Sequence, residues 1–413
     1  MIRPANEYRL LTITVVVAMV VAVLTTCAAI YGYMRLHGWY LAPRREAALA
    51  ERLDDLRLEK GVVRVQGAVA KPGSYSLRRL AAMPSVTFRY KEYEAGEYVG
   101  TYVYSGVPLR LLVQAAEPLK PADDKFPRLL DMVIKVRDAG GRSVYVSYGE
   151  LETAMVENRV IVALRAAYRI PTHHPSVAAG GCGGCHVEVM DEWHDCTMCH
   201  NGDYKPRLNG PETVRLIWRN DAGALRVLEE PAVIEVIAPR EALSEGKGGG
   251  ALMVTWQRRT MGFIDAEVMK RHREIVLDDA MIGMGVGFHT MTQVSGVSLI
   301  DVLVEDFGVD PARPEATMVY CLAADGYRAV FSWTELAHNL LGQPLLLCMK
   351  EAGDRDRGAR DEAHAVADGP AVPEFSVYPA FDLFVDRGVK FLQEIRVVEM
   401  GESEPPADGA RGT

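Results

Sequence analysis

The chain has 413 residues and a mass of 45.5 kDa, with 49% hydrophobic and 24% charged residues. This composition is typical of folded proteins and excludes intrinsic disorder, and the length predicts two or three domains. The 55 acidic residues outnumber the 46 basic ones, giving a net charge of −9. A general nucleic-acid-binding function is excluded, because no net positive field would attract phosphates. The seven cysteines are too few for a disulfide scaffold, and four of them form one cluster.

An uncharged apolar segment extends from Leu10 to Met34. A helix of about 20 residues already crosses the hydrocarbon core of a membrane, so the segment predicts one transmembrane anchor, whose orientation must come from the chemistry downstream. Two alternatives stay open, a cleaved signal peptide and a lipoprotein signal that ends at Cys27. The charged, alanine-rich segment from Arg44 to Lys60 then predicts a stalk helix.

Two regions further along the chain share a sequence pattern. Similar segments occur in the same order and at nearly constant separation, which favours an internal duplication. Each copy has about 100 residues of alternating strands and short helices, enough for a core of its own. The matched pairs are Tyr75–Leu80 with Phe263–Val268, Tyr104–Val113 with Val294–Leu303, and Val144–Leu151 with Val330–Leu336, where Ser147 aligns on Ser332 and Glu150 on Glu335.

The same regions carry a family resemblance. The segments Val65–Leu77, Leu80–Thr87 and Ser105–Leu109 resemble the molybdopterin-binding domain of the sulfite oxidase family. In the second copy the resemblance rests on Ser295–Leu299 and Ala324–Ser332, and it covers roughly residues 60–165 and 250–400 in all. It implies a mixed α+β fold whose ancestral task is to hold a molybdenum cofactor.

The sequence departs from that family at the metal ligand. The resemblance implies a cysteine thiolate on the segment before the Gly-Val element, a soft ligand suited to the metal. The corresponding segments here, Phe88–Tyr104 and Met281–Val294, contain no cysteine. Cys321 and Cys348 come later, on apolar strand-like runs, where we expect buried thiols or one disulfide. A cofactor-free pair of scaffold domains is therefore expected, with bound molybdopterin as an alternative.

Two C-x-x-C-H motifs lie between the copies, at Cys182–His186 and Cys196–His200. In c-type haem attachment both thiols bond to the haem, and the histidine that follows them becomes an axial iron ligand. The four cysteines also have the spacing of a Cys₄ zinc ribbon, but such a site needs no histidine after each pair. A redox dithiol needs neither the pairing nor the histidines. The motifs predict two covalent haems, attached through Cys182, Cys185, Cys196 and Cys199, with His186 and His200 as proximal ligands.

Each haem iron also needs a ligand on its other side. His194 and either His173 or His174 are the best placed, because they lie just before the two motifs. His289, in a glycine-rich segment, is interpreted as an ordinary loop histidine. The nine residues between the motifs span at most about 32 Å, so the two haems should be neighbours that exchange electrons.

These patterns together predict an α+β fold. Two sulfite-oxidase-like mixed α/β domains flank a haem-binding loop segment, and one amino-terminal transmembrane helix precedes them. The predicted segments are a cytoplasmic amino terminus at 1–9, the transmembrane anchor at 10–34, the stalk helix at 35–60, the first domain at 61–168, the dihaem segment at 169–210, the second domain at 211–400 with a mobile insertion at 351–372, and a disordered tail at 401–413.

The leading functional hypothesis is a membrane-anchored dihaem cytochrome c. It would transfer electrons on the outer side of the cytoplasmic membrane, because covalent haem attachment takes place there. Its partners would be redox proteins such as quinol-oxidising or terminal-reductase subunits, and no nucleic acid is expected. One alternative is a molybdopterin-dependent oxidoreductase that passes electrons to its own haems. Another is a non-catalytic metal-binding module with a structural Cys₄ zinc site.

Overall fold

The computed structural model describes residues 25–26, 61–94, 97–153, 160–171, 214–219, 225–239, 251–283, 287–338, 342–350 and 373–401. The chain divides into two compact units, Met1–Lys60 and Gly61–Thr413. Within the first unit the description covers Thr25 and Thr26, which are helical, so almost all of the predicted anchor at 10–34 and the stalk at 35–60 lie outside it. No helix in the described part of the chain is long and apolar enough to cross a membrane.

The second unit is built mainly from β-strands, nineteen of them in the described residues. Ten belong to what we call the first copy: β1 Val62–Gly67, β2 Gly73–Ser76, β3 Val86–Glu94, β4 Glu97–Pro108, β5 Val133–Asp138, β6 Ser143–Ser147, β7 Val160–Pro171, β8 Arg215–Trp218, β9 Leu228–Glu229 and β10 Pro231–Ile237. Nine belong to the second copy: β11 Leu252–Trp256, β12 Arg259–Ile264, β13 Ile275–Gly283, β14 Gly287–Ser298, β15 Thr317–Ala323, β16 Arg328–Ser332, β17 Leu345–Lys350, β18 Glu374–Pro379 and β19 Leu392–Glu399.

The helices are short and lie between strands. They are α1 Leu77–Ala81, α2 Leu109–Ala115, α3 Tyr148–Glu152, α4 Ala266–Arg271, α5 Leu299–Glu305 and α6 Trp333–Ala337, with 3₁₀ turns at Pro314–Ala316 and Val385–Arg387. Helices of five to seven residues are too short to be stable alone, so packing against the sheets must hold them. The α2 helix, for example, buries Leu109, Leu112 and Val113.

The strands form four sheets, and the two copies repeat the same topology. In the first copy the strand orders are β2-β1-β10-β5-β6 and β3-β4-β7-β8-β9, and in the second they are β12-β11-β19-β15-β16 and β13-β14-β17-β18. Each copy has one parallel pair, β1 with β10 and β11 with β19, and its other neighbours are antiparallel. Each copy therefore closes one sheet by pairing its first strand with its last.

The predicted α+β fold class is wrong, because the described structure is mostly β. The runs after each Gly-Val element suggested helices, yet the element itself belongs to a 12-residue strand, β4 or β14. Gly106 and Gly296 allow a close strand approach there. A Cβ atom would lie 2.1 Å from the Val162 carbonyl oxygen at Gly106, and 2.5 Å from that of Leu347 at Gly296.

The copies do not meet where the sequence suggested. Strand β8 pairs with β7, and β10 lies between β1 and β5, so residues 215–237 belong to the sheets of the first copy. The predicted dihaem segment thus begins and ends within the first copy rather than linking the two. The division into separate domains stays a prediction, because residues 61–413 form one compact unit.

Each copy has its own apolar core, and a third cluster joins them. The first core includes Leu112 and Val162, and the second includes Val302 and Phe331. The joining cluster combines side chains from both copies, namely Val133, Tyr145, Ala316, Met318 and Val330. Backbone hydrogen bonds also cross between the copies, from the Val330 amide to the Leu130 carbonyl and from the Leu383 amide to the Thr153 carbonyl.

Candidate functional site

The predicted haem-binding residues lie on one insertion of the β-scaffold. Strands β7 and β8 pair in antiparallel register from Val160 with Trp218 to Ala163 with Arg215. Residues 172–213 connect the two strands and lie outside the described residues. All the predicted ligands fall in that segment: Cys182, Cys185, Cys196, Cys199, His173, His174, His186, His194 and His200. Their geometry therefore stays a prediction, whereas the strands that hold both ends of the segment are described.

Charged and aromatic side chains surround the point where the insertion re-enters the scaffold. The Arg215 guanidinium, on the first residue of β8, donates to the Tyr104 hydroxyl at 3.0 Å and lies 2.6 Å from a Glu229 carboxylate oxygen. Tyr104 is fully buried and contacts Tyr90 edge to face, with ring centroids 6.1 Å apart. Side chains of β4 and β9, two strands of the same sheet, thus hold the carboxyl-terminal end of the insertion.

The second copy has an insertion at the equivalent junction. Strands β17 and β18 correspond to β7 and β8, and residues 351–372 between them lie outside the described residues. That segment contains no cysteine. Both copies thus carry extra chain at one strand junction, and the first copy alone has C-x-x-C-H motifs in it.

A buried ionic network joins the two copies, and it starts from the residues that the sequence comparison aligned. Ser147 and Ser332 cap the amino termini of α3 and α6, accepting hydrogen bonds from the Glu150 and Glu335 amides at 3.0 and 3.3 Å. Each serine also donates across the interface, Ser147 to Glu335 at 3.1 Å and Ser332 to Glu150 at 2.9 Å. The two helix starts are therefore interlocked.

One arginine from each copy completes this network, which we call the interlock. Arg226 makes a two-pronged contact with Glu150, at 2.8 Å for both nitrogen–oxygen pairs, and also reaches Ser332 of the other copy at 3.2 Å. Arg387 binds Glu335 at 3.0 Å and reaches Ser147 at 3.1 Å. The roles are reciprocal, because each arginine binds the glutamate of its own copy and the serine of the other.

The interlock is almost completely removed from solvent. Arg226 and Glu150 are 1% exposed, and Arg387 is 0% exposed. Burial by itself would lower the pKa of Arg387, but the negative charges of Asp382 and Glu335 outweigh it and raise that pKa above its usual value. Arg387 therefore stays charged, and the network fixes the two copies relative to each other.

The interlock arginines had no signal in the sequence motifs. Arg226 lies five residues before β10 and Arg387 five residues before β19, so their positions are equivalent in the duplicated topology. A search for arginines at matching distances from matching strands would have found them. The unequal insertions hide this equivalence, because they change the separation between the copies along the chain.

A second contact between the copies is also charged. Arg328 on β16 reaches into the first copy, where it binds the Asp131 carboxylate and lies 2.6 Å from an Asp124 oxygen. Lys120 is the other cation of this group, with its ammonium 2.6 Å from Asp131. The interface is therefore held by two separate groups of buried or partly buried charges.

The described cysteines do not fit a molybdenum thiolate. Cys321 and Cys348 are free thiols on β15 and β17, with Cys321 fully buried and Cys348 half-buried. Burial raises the pKa of Cys321 to about 12 and that of Cys348 to about 11, so neither is a thiolate at neutral pH. The segments Phe88–Tyr104 and Met281–Val294, where the resemblance places the metal ligand, lie mostly in β-hairpins and contain no cysteine.

Two further features are a histidine that the sequence analysis named and an acidic cavity. His289 lies on β14 rather than in a loop, so that interpretation was wrong about its backbone, and its side chain is not described. A cavity of about 550 Å³ near β13 is lined by Asp278, Asp279 and Asp301 among other residues. Within the described residues, no group of three or more His, Cys, Asp or Glu side chains is arranged to hold a metal ion.

Comparisons with known proteins add little to this description. No protein-family model and no curated protein matches the chain. Among solved structures, the crystal structure of the sulfane dehydrogenase SoxCD from Paracoccus pantotrophus is similar over 66% of this chain and 69% of that one. The identity is 13% and the TM-score is 0.27, so the likeness is weak and carries no argument about function.

Proposed function

We propose that this protein is a dihaem cytochrome c that transfers electrons on the extracytoplasmic side of a membrane. The observation that carries the proposal is the pair of C-x-x-C-H motifs within one insertion between two paired strands. Covalent attachment needs two thiols and an adjacent histidine for each haem, and the insertion supplies that set twice. In this proposal the scaffold derives from a sulfite-oxidase-like domain and holds no molybdenum centre.

Each side chain of the segment has a defined task in this proposal. The cysteines tether the haems, and His186 and His200 hold the irons from one side. His194 and one of His173 and His174 hold them from the other. When bound, each haem supplies one-electron exchange at its iron. Two histidine ligands at each iron would keep both reduction potentials low, which suits transfer between the two haems and to redox partner proteins.

The scaffold supports this function by holding the insertion in place. Both ends of the segment continue into strands of one sheet, and the interlock fixes that copy to the other. A rigid support keeps the distance between a carrier and its partner constant once the partner has docked. We propose that the surfaces of the two copies dock electron donors and acceptors such as quinol-oxidising or terminal-reductase subunits.

The decisive experiment measures covalent haem on the full chain, expressed in a host that attaches haem outside the cytoplasm. A pyridine haemochrome spectrum of purified protein should give two haems per chain. The double variant Cys196→Ser/Cys199→Ser should retain one haem, and Cys182→Ser/Cys185→Ser should also retain one. The matched control is Cys348→Ala, which removes a thiol outside the motifs and should retain both haems.

A structural zinc site is the second candidate, because the four cysteines also have zinc-ribbon spacing. It predicts one zinc per chain by elemental analysis, no covalent haem and no reversible redox titration. That result would overturn the cytochrome proposal. The molybdopterin alternative has a separate readout in the same samples. A molybdenum content near zero after growth with ample molybdate would argue against it.

A further inference from the structure

A basic cavity lies at the junction of the two copies. Its volume is about 330 Å³. The first copy contributes residues of β5 and β6 and of the turn between them. The second contributes Arg313 and Glu315, at the first 3₁₀ turn, and Gly401, the second residue after β19. The charged residues that line it are Lys135, Arg137, Arg142, Arg313 and Glu315.

The residues that line the cavity carry more positive than negative charge. Lys135 and Arg137 are two residues apart on β5 and so share one face of the sheet, opposite Tyr145 and Ser143 of β6. Neither cation has a carboxylate partner in an ion pair among the described residues. The single lining carboxylate, Glu315, is 3.9 Å from Arg313, a loose contact. Four cations against one anion leave a net charge of +3 in a protein whose overall charge is −9.

Some of the polar groups are already fixed in position. The Arg142 guanidinium donates to the Val227 and Leu225 carbonyls, both at 2.7 Å, so its orientation is set by the backbone and its charge faces no carboxylate there. Tyr145 is 2% exposed, and its hydroxyl has no hydrogen-bond partner among the described residues. This hydroxyl lies beside Gly401, another lining residue, at 3.0 Å from the position of a Cβ atom there.

We propose that this cavity binds a small, multiply charged oxyanion. Like charges held close together destabilise a fold unless a counter-charge joins them, and guanidinium groups form two-pronged contacts with phosphate-type oxygens. The buried Tyr145 hydroxyl would supply a neutral donor. A concave site of this volume suits a small ligand such as a diphosphate rather than the flat surface of a protein. The proposal does not depend on the haems.

The test is isothermal titration calorimetry of the full chain with sodium pyrophosphate at constant ionic strength, with inorganic phosphate and acetate as further arms. Pyrophosphate should bind saturably at one site per chain, more tightly than phosphate, and acetate should not bind. Arg137→Gln and Arg313→Gln should each weaken pyrophosphate binding by about tenfold or more, the size expected for one lost hydrogen bond to a charged group. Circular dichroism should show both variants folded.

Arg64→Gln is the matched control, because Arg64 is exposed on β1 and its loss changes the net charge equally. Its affinity for pyrophosphate should equal that of the parent chain. The proposal is overturned if pyrophosphate shows no saturable binding in the millimolar range. It is also overturned if Arg64→Gln weakens binding as much as Arg137→Gln, since binding would then follow overall charge instead of this cavity. Because covalent haem is measured separately, failure here leaves the cytochrome proposal unaffected.

Discussion

The two copies share their topology and differ at one strand junction. Both close a sheet by pairing the first strand with the last, and both place an arginine five residues before that last strand. Both also carry extra chain between equivalent strands, at 172–213 and at 351–372. The first of these insertions contains the C-x-x-C-H motifs, whereas the second has no cysteine. The duplicated sheets and the interlock therefore form the scaffold, while the chemistry we propose belongs to one insertion.

The described partners of the two interlock arginines are all buried. Arg387 contacts two carboxylates, Glu335 and Asp382, with contacts to Asp382 of 2.6 and 2.7 Å. Arg226 contacts the Glu150 carboxylate and lies over the Trp218 ring, 4.7 Å from its centroid. Each arginine is therefore the counter-charge of a buried glutamate of its own copy, and both halves of the interlock should depend on their cations.

The largest expected effect comes from removing these cations. Arg387→Met and Arg226→Met should each lower the free energy of unfolding by about 3–5 kcal/mol, because each leaves a buried glutamate without its counter-charge. Chemical denaturation followed by circular dichroism measures both values. Arg64→Met is the control on the exposed surface, expected within about 0.5 kcal/mol of the parent. A loss as small as that of Arg64→Met for either interlock variant would contradict the stabilising role of that half of the interlock.

The sequence indicated part of this network and missed the rest. The alignment of Ser147 on Ser332 and Glu150 on Glu335 predicted matching positions in two copies, and the structure brings those four residues together. The alignment did not predict that these four residues contact one another, because a duplication does not determine how its copies pack. The arginines were missed because one residue without a local pattern gives no signal. The apolar runs after the two Gly-Val elements predicted the helices α2 and α5, but not that each Gly-Val element belongs to a 12-residue strand.

The Gly-Val elements give a second way to compare the copies. At Gly106 an added Cβ would meet backbone on β7, 2.1 Å from the Val162 oxygen and 2.5 Å from the Ala163 Cα. At Gly296 the nearest atom is the Leu347 oxygen at 2.5 Å. Gly106→Ala should therefore lower the free energy of unfolding by about 3 kcal/mol and Gly296→Ala by about 2 kcal/mol, because paired strands must separate. Thermal unfolding of both variants measures the difference.

Gly140→Ala is a suitable control for these substitutions. Its nearest contact would be the Asp138 side chain at 3.4 Å, an ordinary packing distance in an exposed turn. The melting temperature should change little. If Gly106→Ala were as stable as Gly140→Ala, the close approach of β4 and β7 would not be what requires glycine there. The repeated Ser-Gly-Val pattern would then need another explanation.

The smallest expected effect on stability comes from replacing the two thiols of the second copy. Cys321 and Cys348 occupy strands whose equivalents in the first copy carry Val136 and Ala163, so Cys321→Val and Cys348→Ala insert the residues of the other copy. Burial raises the pKa of Cys321 to about 12 and that of Cys348 to about 11, from an ordinary value near 9. The folded state therefore holds these protons more tightly than the unfolded state. The stability that this provides is complete below pH 9 and is lost as the pH rises from 9 towards 11 or 12.

At pH 10 each thiol should cost the parent chain about 1 kcal/mol of stability relative to pH 8, since one pKa unit corresponds to about 1.4 kcal/mol. Denaturation of the parent and of the double variant at the two pH values measures the difference. Between pH 8 and pH 10 the double variant should lose about 2 kcal/mol less stability than the parent chain. Taking this difference cancels the contributions of the lysines and tyrosines that both chains share. An equal loss in both chains would mean that the thiols ionise as freely in the folded state as in the unfolded one. The second copy would then offer an accessible thiolate, and the reason for rejecting it as a soft-metal site would fail.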